Sequence, residues 1–281
     1  MEIGFLTACM ADRPLDDVLA FAAQAGFDAL EVVCTPAHPH IDSKAVARGK
    51  AKDVKQRFAD AGVRISALAP FVNWLNPDPA KRKAFADDFK YVVEAVNVLG
   101  ADTISTMAGM PVPGKTKMQT IEQDFAEVMG AMVAYAKQHK VRIALENWFA
   151  TVLQAPDHFE RALTVIKDRH LGLNYDPSHL FWAGADYIGA VETFGKRIFH
   201  THAKDCQVFE HRLKRVGVLG GGWWRYCIPG QGGVRWGEYL GALRTVGYNG
   251  VLSIEHEDGA LGPEEGLRLG RAFLLTLAAR P

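Results

Sequence analysis

The stretch VRIALENWFATVLQAPDHFERALTVIKDRHLGLNYD, residues 141–176, holds the unit from which the fold is read. A β-rich run, VRIALEN from Val141, leads into a helical pattern from Pro156 to Asp168 and then into a second β-rich run, LGLNYD from Leu171. The acids that close the two runs, Glu146 and Asp176, are therefore one βα repeat apart. Working outward, the same alternation recurs along the whole chain. The other strand candidates are EIGFLTA from Glu2, FDALEVV from Phe27, VRISALA from Val63, DTISTM from Asp102, RIFHTHA from Arg197 and GVLSIEH from Gly250. Helical patterns span Pro14 to Ala25, Ser43 to Ala61, Pro79 to Leu99, Lys117 to His139, Asp186 to Gly195, Trp236 to Val246 and Pro263 to Ala279. Several begin at proline or aspartate, and Gly26, Gly62, Gly100 and Gly247 follow helical runs, the usual start and stop signals.

Eight βα repeats are the sequence form of a (β/α)8 TIM barrel, whereas a doubly wound sheet usually stops at five or six strands. The expectation is one domain over residues 1–281, with no break in composition to divide it. One long irregular loop is expected from about 205 to 235, after strand 7, on the face where barrels place their active sites.

Thirty-two basic and 32 acidic residues cancel, so no broad positive field exists to grip a polyanion, and nucleic acid is not an expected partner. No run approaches a membrane span and the first residues, MEIGFLTACM, do not read as a leader. Cys9, Cys34, Cys206 and Cys227 are far apart, with no C-x-x-C pair, as expected of reduced thiols in a cytoplasmic protein.

Barrel chemistry is carried at the carboxyl ends of the strands. Strand 5 ends in ALEN with Glu146, strand 6 in NYDPSH with Asp176 and His179, strand 7 in HTHAKD with His202, and strand 8 in SIEHED with Glu255. Three carboxylates and an imidazole meeting at one barrel mouth repel one another unless a cation joins them. Glu146, Asp176, His202 and Glu255 are thus expected to hold one divalent metal. The oxygen-rich set suits Mn²⁺ first, with Mg²⁺ and Co²⁺ close behind and Zn²⁺ open.

These strings resemble the xylose isomerase-like barrel superfamily, in particular its sugar phosphate isomerase/epimerase branch. That branch includes ketose 3-epimerases, inosose isomerases and dehydratases, and endonuclease IV. The resemblance implies the same four metal ligands, a place for His179 beside the substrate, and Glu146 and Glu255 facing each other as proton carriers. It also implies a pocket position for Glu31. Endonuclease IV-like proteins carry further histidines on early strands and a D-x-H string after strand 7. Here strands 3 and 4 end in ALAPF and STMAG and the loop reads KDCQVFEH, so those zinc ligands are missing.

The expected activity is a metal-dependent isomerase or epimerase of a keto sugar or related polyol, 3-keto sugars included, through a metal-stabilised enediolate. Dehydration of the inosose dehydratase type is the alternative, followed by a phosphodiesterase or a non-catalytic sugar-binding subunit. Lys204 shares its strand face with His202 and is expected near the mouth, on substrate or in a surface ion pair; His200 is expected deeper, as an interior hydrogen-bonded histidine. Trp224 and Arg225, in GGGWWRY (220–226), are expected in a sugar-binding lid; packing on the barrel itself or on a second copy, which would make a homo-oligomer, is the competing reading. Trp74 is a further candidate for the substrate wall. Trp148 and Phe149 either close the pocket or pack beneath it. His38 and His40 are read as loop or pocket-wall residues ahead of metal ligands.

Overall fold

A computed structural model describes residues 1–35 and 40–278. Eight parallel strands close into a barrel: β1 (Glu2–Leu6), β2 (Ala29–Val33), β3 (Arg64–Ala69), β4 (Thr103–Met107), β5 (Arg142–Glu146), β6 (Leu171–Tyr175), β7 (Ile198–Ala203) and, after the hairpin strands β8 (Asp205–Val208) and β9 (Trp224–Cys227), β10 (Val251–Ile254). Around the barrel the order is β1, β10, β7, β6, β5, β4, β3, β2, so each strand lies beside its predecessor in the repeat. The expected (β/α)8 barrel is what forms. Strands such as β2 and β6 are buried along their whole length, as required when helices cover the outside and side chains fill the inside. Gly172 marks one tight approach, since a Cβ there would lie 2.2 Å from the Arg197 carbonyl oxygen.

The helix Pro79–Leu99 has the expected bounds. Asp78 caps it by accepting from the Ala80 and Lys81 amides, and Gly100 ends it in the left-handed conformation at φ 85°. Two other expected helices are interrupted by wide π turns, at Val46–Lys50 and Ile121–Phe125, which periodicity does not reveal. A short helix at Pro177–Trp182, absent from the sequence reading, begins on Asp176, whose Oδ1 accepts from the Ser178 amide at 2.7 Å.

The segment from 205 to 235 corrects the expectation of an irregular loop. Its ends form an antiparallel hairpin, with Asp205 opposite Cys227 and Val208 opposite Trp224, and the helix Glu210–Val216 lies between the strands. The buried Asp205 carboxylate gathers the returning chain, accepting from the Gly230 amide at 2.9 Å, the Val234 amide at 3.0 Å and the Trp236 indole at 2.8 Å. Among the described residues no helix is long and apolar enough to cross a membrane.

Candidate active site

The polar chemistry is stacked inside the barrel. His200, deepest on β7, lies 3.2 Å from Asn174 Oδ1 through Nδ1 and 3.1 Å from Ser66 Oγ through Nε2. Burial pushes its imidazole down to about 4, so it is a neutral interior histidine. One pleat higher, the His202 Nε2 is 3.1 Å from Glu31 Oε2, and Ser253 donates to the same oxygen at 2.7 Å. Glu31 therefore sits beneath His202, fully buried. Burial would raise its carboxyl, but His202 outweighs that and the carboxyl is held down at about 2.

The other face of His202 looks toward the mouth. Its Nδ1 is 3.2 Å from Glu146 Oε1 and 3.1 Å from Glu255 Oε2. Glu146 ends β5 and Glu255 follows β10, so the strand ends bring them to one place. Asn147 ties this level together by a reciprocal clasp: its side chain donates to the Asp176 carbonyl and accepts from the Asp176 amide, both at 2.8 Å. While Asp176 Oδ1 caps the following helix, its buried Oδ2 accepts no hydrogen bond. That oxygen has only ionic neighbours, with Lys204 Nζ at 3.3 Å and His179 Nε2 at 3.5 Å.

Lys204 is buried among acids, with Nζ 2.5 Å from Glu255 Oε2, 2.9 Å from Glu257 Oε2 and 4.4 Å from the centre of the Tyr226 ring. Burial would lower its ammonium, yet Glu255, Asp176 and Glu257 dominate and hold it well above its ordinary range. His202 behaves alike: burial opposes its charge, and Glu255, Glu31 and Glu146 overcome this. Lys204 and His202 are thus both favoured in their charged forms by the acids around them.

This donor set fits a divalent ion. Glu146, Asp176, His179 and Glu255 each offer an atom within 4.8 Å of the others, and the unpartnered Asp176 oxygen is one of the ligands such an ion requires. The histidine in this 4.8 Å group is His179 and not the expected His202, which reaches Glu146 and Glu255 from below through Nδ1. The His179 Nδ1 is engaged by the Tyr226 hydroxyl at 2.6 Å.

Above the cluster opens a cavity of about 510 Å³. Glu146, His179, Lys204, Glu255 and Glu257 form its polar side; Trp148, Phe149, Trp224 and Phe71 contribute aromatic surface. Trp224 stacks on Trp182 with ring centres 4.4 Å apart. Trp224 and Tyr226 alternate with Arg225 along β9, so two of them face the cavity and the arginine turns away. Arg225 donates instead to Asp258 at 2.6 Å and Gln207 at 3.0 Å. Trp74 lines a separate cleft of about 180 Å³ and donates to Thr106 at 3.1 Å. His40 ties down its own loop through Thr7 and the Met10 and Arg13 carbonyls, and His38 lies outside the described residues. Glu257 was not among the sequence candidates, although it shares the parity of Glu255 in SIEHED.

The pattern of one protein family, the xylose isomerase-like TIM barrel, matches residues 19–277. The chain belongs to that family. A relative from Bacillus subtilis (strain 168), the uncharacterized protein YfiH, is 27% identical over 95% of this chain and 96% of its own. An inosose isomerase from Bacillus velezensis is 26% identical over 72% of this chain and 70% of its own. Among solved structures, that of the IOLI protein with a bound zinc atom superposes with a TM-score of 0.79 at 21% identity, covering 99% of this chain and 98% of that one. The zinc belongs to that protein; here the likeness shows the xylose isomerase-like fold.

Proposed function

We propose that this chain is a divalent-metal-dependent sugar isomerase or epimerase that moves a proton on the carbon beside a carbonyl. The observation that carries the reading is the placement of Glu146 and Glu255 at one cavity wall, both within 3.2 Å of the same His202 nitrogen. Glu146, Asp176, Glu255 and His202 would hold the ion, with Mn²⁺ the leading candidate, and the ion supplies positive charge to substrate oxygens.

The remaining steps belong to side chains. One glutamate takes the proton as the C–H bond breaks, and the electron pair moves onto the carbonyl oxygen to give an enediolate. Its partner, protonated from solvent, delivers that proton to the opposite face for epimerisation; for isomerisation the proton goes to the former carbonyl carbon, while the hydroxyl on the first carbon passes its proton to the former carbonyl oxygen and becomes the new carbonyl. The Lys204 ammonium faces the oxygen that gains charge. His179, with Nδ1 engaged by Tyr226, turns Nε2 toward the acids and a substrate hydroxyl. Trp148, Phe149 and Trp224 offer flat apolar surface to the C–H face of a ring and exclude water. The relationship to an inosose isomerase supports a polyol or sugar as substrate.

The test is incubation of keto sugars and inososes with the Mn²⁺-loaded protein in D₂O, followed by NMR. Deuterium is expected next to the carbonyl. It should be lost by roughly 10²–10⁴-fold in Glu146→Gln and Glu255→Gln, the usual span of acid–base catalysis. Undiminished exchange in both variants, or in chelator-treated protein, overturns the proposal.

A further inference from the structure

Four carboxylates at the cluster, Glu146, Asp176, Glu255 and Glu257, face two basic groups, the Lys204 ammonium and the His202 imidazole. Among the described residues lining the cavity, Lys204 is the only lysine or arginine, and it is held by Glu255, Glu257 and Asp176. Even with a divalent cation in place, no positive charge is left over. A phosphate ester needs N–H donors and positive charge, and TIM barrels commonly supply them from the loops after their last two strands. Here those loops present the Tyr226 phenol and the Glu257 carboxylate instead. Arg225 is committed to Asp258 and Gln207. The glycine run 220–222 does not line the cavity, and the Gly220 amide donates to the Gly217 carbonyl at 3.0 Å.

We infer that Glu257 selects substrate charge: the cavity takes an uncharged polyhydroxylated carbonyl compound and rejects its phosphate ester. The Glu257 side chain is 47% exposed at the mouth, with one oxygen on Lys204, so its carboxylate is available to accept from substrate hydroxyls. An entering phosphate meets that negative charge in partly desolvated surroundings, where like charges repel more strongly than in water. The opposite wall of Trp148, Phe149 and Trp224 suits the apolar face of a neutral ring. The inference rests on the sugar reading for the kind of molecule bound, and it does not require that a proton be transferred.

Calorimetric titration of the Mg²⁺-loaded protein with D-fructose and with D-fructose 6-phosphate tests it, alongside Glu257→Gln and Glu257→Lys. The wild-type protein is expected to bind fructose at least about tenfold more tightly than the ester, because the added charge meets Glu257 in surroundings less polar than water. Glu257→Gln should narrow the gap several-fold and Glu257→Lys should erase or reverse it, with thermal melting confirming that both variants fold. Equal or tighter binding of the ester to wild type, a ratio unmoved in both folded variants, or no binding of either sugar overturns the inference. Deuterium exchange on the same samples separates the two claims: discrimination between the sugars without exchange sinks the proposed reaction and leaves the charge selection standing.

Discussion

Glu31 grips the far nitrogen of His202, with its carboxylate oxygens 3.1 and 3.3 Å from Nε2. A carboxylate there favours the proton on Nε2, so that Nδ1 can give up its own proton and offer a lone pair when a cation lies between it and Glu146 and Glu255. Replacing Glu31 by Gln is therefore expected to weaken divalent-metal affinity by about 10–100-fold, the usual cost of losing such a supporting contact. Competition against a fluorescent chelator measures this, and an unchanged affinity would show that Glu31 does not orient the ring.

Asp205 is the fastening of the β8–β9 excursion. Its carboxylate is fully buried and satisfies the Gly230 and Val234 amides and the Trp236 indole. Asp205→Ala strands those donors and is expected to cost about 3 kcal/mol or more. Asp205→Asn keeps one accepting oxygen and should cost less. Urea unfolding gives the magnitudes, and limited proteolysis should cut the alanine variant first between 205 and 235.

The thiols are predicted to be inert. Burial pushes Cys9, Cys34, Cys206 and Cys227 each up to about 12, which leaves almost no thiolate at neutral pH. A disulfide reagent should label the native protein slowly and all four thiols after unfolding. Rapid labelling of the native state would contradict the packing around these residues.

Asp168 gives a pH signature outside the site. Lys137 donates to it at 2.8 Å and the His170 amide and ring lie at 2.9 Å, so its carboxyl is held below the ordinary range in the folded chain. A depressed carboxyl contributes stability above its unfolded value of about 3.9 and loses it as the pH falls toward the folded value. The stability gap between wild type and Asp168→Asn is expected to be about 1 kcal/mol at neutral pH and to shrink in acid. Paired urea titrations at neutral and acidic pH read the difference; a constant gap would mean that the charge contributes nothing.

The barrel was legible because strand and helix periods alternate cleanly and because closure leaves few topologies for eight repeats. Glu146, Asp176, His202 and Glu255 could be named for a related reason, since a barrel gathers the carboxyl ends of its strands whatever fills the helices. Other features depend on the path of the chain beyond those ends. Arg225 was grouped with its aromatic neighbours by proximity in sequence, but the pleat of β9 sends it to the opposite face. Trp74 faces a different cleft because the segment after β3 turns toward the helix that follows it. Glu257 needed the course of the chain past β10, and the Tyr226 contact with His179 needed the hairpin, whose pairing joins residues nearly twenty positions apart.

The same hairpin has a consequence for how this barrel framework diversifies. Its feet are tied down by Asp205, whereas its tip is free, with Leu219 wholly exposed. Val218 and Leu219 at the tip are exposed and outside the cavity lining, whereas Trp223 is buried against Trp182. That makes the tip a grafting point, where a new recognition surface can be installed over old chemistry.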